Sequence, residues 1–256
     1  LTRLFGPILV ASGGSWVDPA TSPLNSRPTG LFMTLRQALS QNVPPGSRIL
    51  YEEGGFGPDP YSGGRFSGIL ADQLGIEIIG GPYLHAALST NTAQFGEGKL
   101  FGKENWDLAW LEQLSQRYGI TWMVAWSERS QRMIDSNPER FRTVLRDGPF
   151  RICQIIQNET FSPKMALLGN EHLNGPVKVS PEGMRIEIRP ATGGIEVDRI
   201  VVLRYHWAPG LQLQGQKDVD VQPEVLPGTS LPALIRLRLG PSVEGPLEIR
   251  LNPWGD

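Results

Sequence analysis

Residues 234–239, Leu234-Ile235-Arg236-Leu237-Arg238-Leu239, alternate apolar and charged side chains along a short stretch. Successive side chains of a β-strand point to opposite faces of the sheet, so Ile235, Leu237 and Leu239 share one face, and Arg236 and Arg238 share the other. This pattern predicts a half-buried strand of an antiparallel sheet, with one face on a core and one face in water.

Short stretches of the same kind recur throughout the chain after residue 157. Turn residues separate them, and most of them alternate apolar and polar side chains. They are residues 177–179, 184–188, 195–197, 201–205, 211–213 and 247–251. Many short alternating strands with turn signals between them are typical of two packed antiparallel sheets. Residues 158–256 are therefore predicted to form an antiparallel β-sandwich or jelly roll.

Strand and helix alternate in the part of the chain before residue 157. Residues 48–52 and 120–126 lack a polar face, which is typical of strands buried on both sides. Helices are predicted at 31–41, 66–74 and 106–118 and, as a single turn, at 137–141. Ser127 is a predicted N-cap for a further short helix that ends at Met133. We therefore predict a three-layer, Rossmann-like α/β domain at 31–157. The predicted fold class is α+β in two parts.

The first thirty residues are predicted to be a linker or the exit from a preceding membrane segment. Residues 12–30 are rich in Ser, Gly, Pro and Thr, which is typical of a linker. Residues 5–11 are apolar and fit the end of a transmembrane helix, and equally an ordinary first strand or linker. No apolar run in the sequence reaches the ~18 residues that a membrane span requires.

The composition narrows the classes of function. The 256 residues include 24 basic and 26 acidic ones, the net charge is −2, and no Lys/Arg block stands out, so nucleic-acid binding is not predicted. Cys153 is the single cysteine and lies in an apolar run, so we expect a buried thiol and no disulfide within the chain. The histidines His85, His172 and His206 lack the spacing of a zinc site, so no metal and no cofactor are predicted.

Acidic residues stand at the end of the first predicted strand of the α/β part. Parallel sheets commonly bind ligands at the carboxyl ends of their strands, so Glu52 and Glu53 are candidate ligand-binding residues. Successive side chains in a strand point to opposite faces of the sheet. The carboxylates of Glu52 and Glu53 can therefore serve one catalytic centre only if the strand ends before them. His85 follows the next strand end and could frame a polar crevice with Glu52. The alternatives are acids solvated in a loop and a structural histidine bonded to a backbone carbonyl.

Tryptophans are a further set of candidates, because aromatic faces stack against sugar rings. The chain has seven tryptophans, and an exposed Trp106, Trp207 or Trp254 could provide such a platform. For Trp207 and Trp254, which lie next to Pro and Gly residues, packing at a corner of the sandwich is the alternative.

Several segments resemble one group of bacterial polytopic membrane proteins. Residues 47–52 are similar to their first soluble strand, 75–82 to the segment after their first crossing helix, and 114–126 to a shared leucine-and-tyrosine pattern that leads into a hydrophobic strand. The strands at 199–210 and 247–255 resemble the end of the same domain. The families are the YfhO-like glycosyltransferase-type membrane proteins and the membrane proteins related by name to 6-pyruvoyl-tetrahydropterin synthase.

The resemblance implies a soluble domain at the extracytoplasmic face of the bacterial inner membrane, following a bundle of transmembrane helices. Its partners would be the protein's own transmembrane region and a glycan or lipid-linked sugar. The acidic catalytic residues of such glycosyltransferases lie in loops between the membrane helices, so no catalytic residue is assigned to this chain. We therefore expect a non-catalytic domain that assists glycan or lipid-linked-sugar transfer. The alternatives are a free-standing carbohydrate-binding or carbohydrate-active protein and a structural interaction module.

Overall fold

The computed structural model describes the chain between residues 28 and 251, with internal gaps. The described residues are 28–53, 67–80, 94–96, 98–148, 150–157, 166–175, 177–180, 183–190, 199–207, 210–215, 218–229 and 231–251. The predictions for residues 1–27, for His85, for Trp254 and for a strand at 195–197 lie outside them. Residues 28–30, predicted as the end of the linker, instead begin a helix. The described fold is mixed α+β, with mostly strands, few helices and several sheets, which confirms the predicted class at this level.

Helices and strands alternate in the first half of the described chain, and strands alone dominate the second half. In chain order they are α1 (Pro28–Asn42), β1 (Arg48–Tyr51), α2 (Ser67–Leu74), β2 (Glu77–Ile79), β3 (Phe95–Gly96), β4 (Lys99–Leu100), α3 (Leu108–Tyr118), β5 (Ile120–Ala125), α4 (Glu128–Ser136), β6 (Phe141–Asp147), β7 (Phe150–Ile155), β8 (Ala166–Leu168), a 3-10 helix (Asn170–His172), β9 (Lys178–Ser180), β10 (Gly183–Ile188), β11 (Arg199–His206), β12 (Leu211–Gln214), β13 (Val219–Glu224), β14 (Leu234–Leu239) and β15 (Gly245–Leu251).

A five-stranded sheet in the order β2-β1-β5-β7-β6 organises the first part of the chain. β1 pairs in parallel with both β2 and β5, whereas β7 runs antiparallel to β5 and β6. The carboxyl ends of β1, β2 and β5 therefore lie at one edge of the sheet, and their amino ends lie at the opposite edge. These two edges carry the residues discussed below.

Both faces of this sheet are covered by helices, which explains why its central strands lack a polar face. Ile49 and Tyr51 of β1 belong to a buried cluster that includes residues of α1 and α2. Leu50 belongs to a second cluster that includes residues of α3 and α4. In β5, Trp122 lies in the first cluster and Met123 in the second, as expected when successive side chains point to opposite faces.

Short-range sequence signals set the ends of the helices. Asp107 caps the start of α3 and Ser127 caps the start of α4, each accepting a hydrogen bond from the backbone N–H three residues later. Gly119 ends α3 in the left-handed conformation, with φ of 70°. Helix α3 thus starts after Trp106, whereas the periodicity predicts Trp106 inside the helix. None of the described helices has both the length and the apolar character needed to cross a membrane.

Two four-stranded antiparallel sheets follow, in the orders β12-β15-β10-β9 and β13-β14-β11-β8. Ile186 and Ile249 of the first sheet share one buried cluster with Val201 and Leu237 of the second. The sheets therefore meet through a common apolar core. Residues 234–239 form β14, which buries Ile235, Leu237 and Leu239 and leaves Arg238 exposed, as the alternation predicts.

Apolar residues also join the two parts of the chain. Val202 of β11, Leu231 and Leu234 lie in the same buried cluster as α3 and α4. One face of the five-stranded sheet is thus sealed partly by side chains from the second part.

Some details differ from the prediction. Residues 138–140 form a turn and Phe141 already starts β6, so the predicted helical turn at 137–141 is wrong; Asn137 instead ends α4 by donating its N–H to Ile134 O at 3.2 Å. Strands β3, β4, β8 and β13 are not predicted by the sequence pattern. β13 contains Pro223, a residue that argues against a central strand, but β13 lies at the edge of its sheet, where proline is tolerated.

Candidate functional site

Glu52 lies at the carboxyl edge of the five-stranded sheet and is fully buried, with 0% of its surface exposed. Its Oε1 accepts the N–H of Gly98 at 2.8 Å, and its Oε2 accepts the N–H groups of Trp126 and Ser127 at 2.9 and 3.1 Å. Three backbone donors replace the water that a buried carboxylate loses. The alternative of an acid solvated in a loop is therefore wrong for Glu52.

Glu53 has a separate set of partners. Its Oε1 accepts the hydroxyl of Ser67 at the start of α2, and its backbone carbonyl accepts the indole N–H of Trp126 at 2.8 Å. β1 ends at Tyr51, so both acids follow the strand, yet they bond to different groups. The described contacts do not join the two carboxylates in one centre. His85, the third member of the predicted crevice, lies outside the described residues.

Trp106 is buried and cannot be the exposed sugar platform that the sequence suggests. Only 1% of its surface is exposed, its indole N–H donates to Gly98 O at 2.8 Å, and its ring meets Phe95 edge-on at 6.0 Å. The guanidinium of Arg129 lies 5.7 Å from the ring centroid. The ring therefore helps to hold Gly98, the same residue that donates to Glu52.

Trp207 packs against the core of the two antiparallel sheets and is partly buried. Its backbone N–H donates to Ala233 O at 2.8 Å, which continues the pairing of β11 and β14 beyond their ends. This environment agrees with the packing alternative rather than with a stacking platform.

At the opposite, amino edge of the sheet lies a group of four side chains, Arg48, Glu77, Arg204 and Tyr205, which we call the Arg48 cluster. Arg48 is 6% exposed and donates to Glu77 Oε2 at 2.7 Å through Nε, and to the backbone carbonyl of Arg204 at 2.7 Å. Glu77 Oε1 accepts the Tyr205 hydroxyl, and the Arg48 guanidinium lies 4.8 Å from the Tyr205 ring centroid. The cluster thus connects the first two strands of the chain to β11.

The carboxyl end of α3 completes this connection. Its backbone carbonyls at Gln116 and Tyr118 accept the side chains of Arg204 and Arg48, respectively. Cations at a helix carboxyl end interact favourably with the helix dipole. Arg117 of the same helix donates to Pro232 O at 3.1 Å. Three arginine side chains therefore form hydrogen bonds between the two parts of the chain.

Burial and charge shift the ionisation of these groups. Burial, and then the neighbouring charge of Arg48, lower the pKa of Arg204 to about 10. Burial, and then the charge of Glu77, raise the pKa of Tyr205. Tyr205 therefore stays protonated and can donate its hydroxyl to Glu77.

His206 follows the cluster on β11 and meets the Tyr118 ring edge-on at 5.1 Å between centroids. Burial, and then the charges of Arg48 and Arg117, lower the pKa of His206 to about 4. The imidazole is therefore neutral near pH 7. It belongs to the packing between the parts. Within the described residues, no group of three or more His, Cys, Asp or Glu side chains could hold a metal ion.

A cavity of about 340 Å³ opens beside the Arg48 cluster. Its walls are the turn before β1, the amino ends of β1, β2 and β5, the end of α3, Gln154 of β7 and Arg204 of β11. The cavity therefore lies where the two parts meet, a common position for ligand sites in proteins.

Sequence reasoning misses the Arg48 cluster. Its members are 29, 128 and 156 residues apart, so no local pattern brings them together. One signal could have found it: Arg48 and Glu77 each open a short apolar strand, and adjacent parallel strands can place such opposite charges side by side.

No protein-family model, curated protein or solved structure matches this chain. The function proposed below therefore draws on the contacts described above and on the resemblance of short segments of the sequence.

Proposed function

We propose that this chain is a non-catalytic positioning domain at the extracytoplasmic face of a bacterial inner membrane. It would be attached to the transmembrane region of its own protein and would assist transfer of a glycan or lipid-linked sugar. In this proposal the first part is a three-layer, Rossmann-like α/β domain and the second is a jelly roll. The resemblance of its strand segments to glycosyltransferase-type membrane proteins motivates the proposal.

The environment of Glu52 is the observation that carries the non-catalytic assignment. A general acid or base must reach a substrate proton and must change its protonation state during turnover. Glu52 is fully buried, and both of its oxygens accept hydrogen bonds from backbone N–H groups, so neither oxygen is placed to reach a substrate proton. The alternative of a carbohydrate-active enzyme that uses Glu52 as its acid therefore gains no support.

The Arg48 cluster supports the positioning role. It ties β1, β2 and α3 to β11 through an ion pair and several bonds to backbone carbonyls. Such a connection resists rotation of one part against the other. A domain that holds a substrate or a membrane segment in place requires that stiffness.

Topology reporters test the location. The natural gene, with everything it encodes upstream of Leu1, is fused after Asp256 to alkaline phosphatase or to green fluorescent protein. We expect the alkaline phosphatase fusion to be active and the green fluorescent protein fusion to be non-fluorescent. We also expect both fusion proteins to remain in alkali-washed membranes. A fluorescent fusion in the cytosolic fraction would overturn it.

A transfer assay tests the absence of a catalytic role. Membranes that contain the natural protein or its Glu52→Gln variant are supplied with radiolabelled lipid-linked sugars, and transfer is divided by the amount of folded protein. We expect the two values to agree, whereas removal of a general acid lowers the rate by about 10²–10⁴-fold. Glu128→Gln, which changes an 84% exposed carboxylate, is the matched control.

A further inference from the structure

The cavity beside the Arg48 cluster has a charge that favours anions. Among the described residues that line it, two are basic, Arg48 and Arg204, and one is acidic, Glu77. Arg48 and Arg204 are each 6% exposed, so water screens their charges poorly. Their formal charges and that of Glu77 leave one positive charge on the wall.

Uncharged groups on the cavity wall suit a small polar molecule. Ser47 and Thr121 provide hydroxyls, Gln154 provides an amide, and Trp122 provides apolar surface. Ser47, Thr121 and Gln154 are partly exposed, so they are within reach of a molecule in the cavity. A volume of about 340 Å³ lies at the small end of the range for ligand pockets.

The shape of the cavity is set by rigid elements. Its rim is the exposed turn of Pro44, Pro45 and Gly46, in which the two proline rings fix the backbone φ angles. Gly119, which also lines the cavity, has φ of 70°, and a Cβ there would lie 3.2 Å from Arg204 Cδ. Because glycine has no Cβ, the Arg204 side chain can pack against the end of α3 without a steric clash.

We propose that this cavity binds a monosaccharide-sized ligand that carries one oxyanion, either a carboxylate or a phosphate. The net positive charge that Arg48, Arg204 and Glu77 leave on the wall attracts the oxyanion, and the hydroxyl and amide groups suit the remaining sugar hydroxyls. The lowered pKa of Arg204 agrees with this, because its surroundings disfavour a cation that a bound anion would stabilise. The proposal concerns the isolated chain and does not depend on attachment to a membrane.

Calorimetric titration of the purified chain with four probes tests the proposal. The probes are glucuronate, glucose 1-phosphate, neutral glucose and inorganic phosphate. We expect glucuronate or glucose 1-phosphate to bind at least about tenfold more tightly than glucose. If only glucose 1-phosphate and inorganic phosphate bind, the oxyanion of the ligand is a phosphate. If glucuronate binds, the cavity accepts a carboxylate.

Variants of the cavity wall test whether the probes bind in this cavity. Ser47→Phe puts a bulky side chain at the rim while keeping the backbone carbonyl that accepts Glu77 N–H at 3.2 Å, so it should abolish binding and leave the melting temperature unchanged. Gln154→Leu, a second variant, should weaken binding without removing any charge. Arg132→Met, which removes a 71% exposed arginine on α4, is the control and should leave binding unchanged.

Two results would overturn the proposal. One is that none of the anionic probes binds to the folded wild-type chain. The other is that the anions bind equally well to Ser47→Phe and to wild type, which would place the site elsewhere. Neither result bears on the topology reporters, so failure of this site and failure of the proposed function remain distinguishable.

Discussion

Arg48 and Glu77 occupy the first positions of two adjacent parallel strands, and the register of β1 and β2 pairs them directly. Their side chains are 6% and 26% exposed, and they form an ion pair. Since Arg48 also donates to the backbone of Arg204, this pair is the centre of the connection between the two parts.

Removing Arg48 should therefore destabilise the protein strongly. The Arg48→Met variant leaves Glu77 poorly compensated and deprives two carbonyls of the Arg48 donor, which by analogy with other buried pairs costs about 3–5 kcal/mol. Urea unfolding measures the loss. Arg185→Met, in an ion pair with Glu187 whose side chains are 53% and 37% exposed, is the control and should change stability by less than about 1 kcal/mol. Equal effects of the two variants would show that the Arg48 cluster is not a stabilising connection.

Replacing Glu52 should cost stability because its amide substitute cannot accept all three hydrogen bonds. In Glu52→Gln the new NH₂ group faces at least one backbone N–H, and we expect a loss of about 2–4 kcal/mol. Denaturant unfolding gives the change in free energy. Glu128→Gln, on the exposed face of α4, should stay within about 0.5 kcal/mol of wild type. A Glu52→Gln protein as stable as wild type would contradict the structural role.

His206 should make the protein less stable in mild acid. Its pKa is lowered from 6.5 to about 4 in the folded state, so the unfolded chain binds the proton first as the pH falls. The stabilisation from neutral His206 is complete above about pH 7 and is lost between about pH 6.5 and 4, by at most about 3 kcal/mol. The melting temperature of wild type and of His206→Phe, measured across that range, gives the test. Parallel curves for the two proteins would contradict it.

Cys153 should react slowly with thiol reagents. It is fully buried on β7, which lies between β5 and β6, and burial is the main reason that its pKa is raised. Ellman's reagent should modify it only when urea unfolds the protein. A Cys153→Ala/Ser136→Cys double variant, which moves the thiol to an exposed position on α4, should react at once without urea. Fast modification of native wild type would mean that β7 opens readily.

The parts of the fold that the sequence predicts are those with short-range causes. Alternation identifies β14, uniform apolarity identifies β1 and β5, and Ser127 identifies the start of α4. The short strands β3 and β4 escape prediction because two residues carry no periodicity. The place of β3 in the fold depends on tertiary contacts, since the Phe95 N–H donates to Gly80 O and the Phe95 carbonyl accepts the Glu53 N–H.

The candidate site is only partly predictable for the same reason. The position of Glu52 at a strand end is visible in the sequence, but its donors come 46 to 75 residues later, so its burial is not. The periodicity places Trp106 on a helix and leaves its exposure open. Its burial depends on Gly98 and Phe95, whose arrangement no periodic pattern encodes.

The bonds of Glu52 and Arg48 also constrain how the nascent chain folds on the ribosome. When β1 emerges, the Glu52 carboxylate lacks the donors at Gly98, Trp126 and Ser127, and Arg48 lacks the carbonyl at Arg204. Arg48, the first residue of β1, and Glu52, which follows β1, therefore lack these partners until much later segments have been synthesised. Such long-range contacts slow folding and leave early strands exposed to aggregation. The first sheet should therefore complete its folding only after translation has passed β11, and ribosome-bound chains truncated before Arg199 should be sensitive to protease.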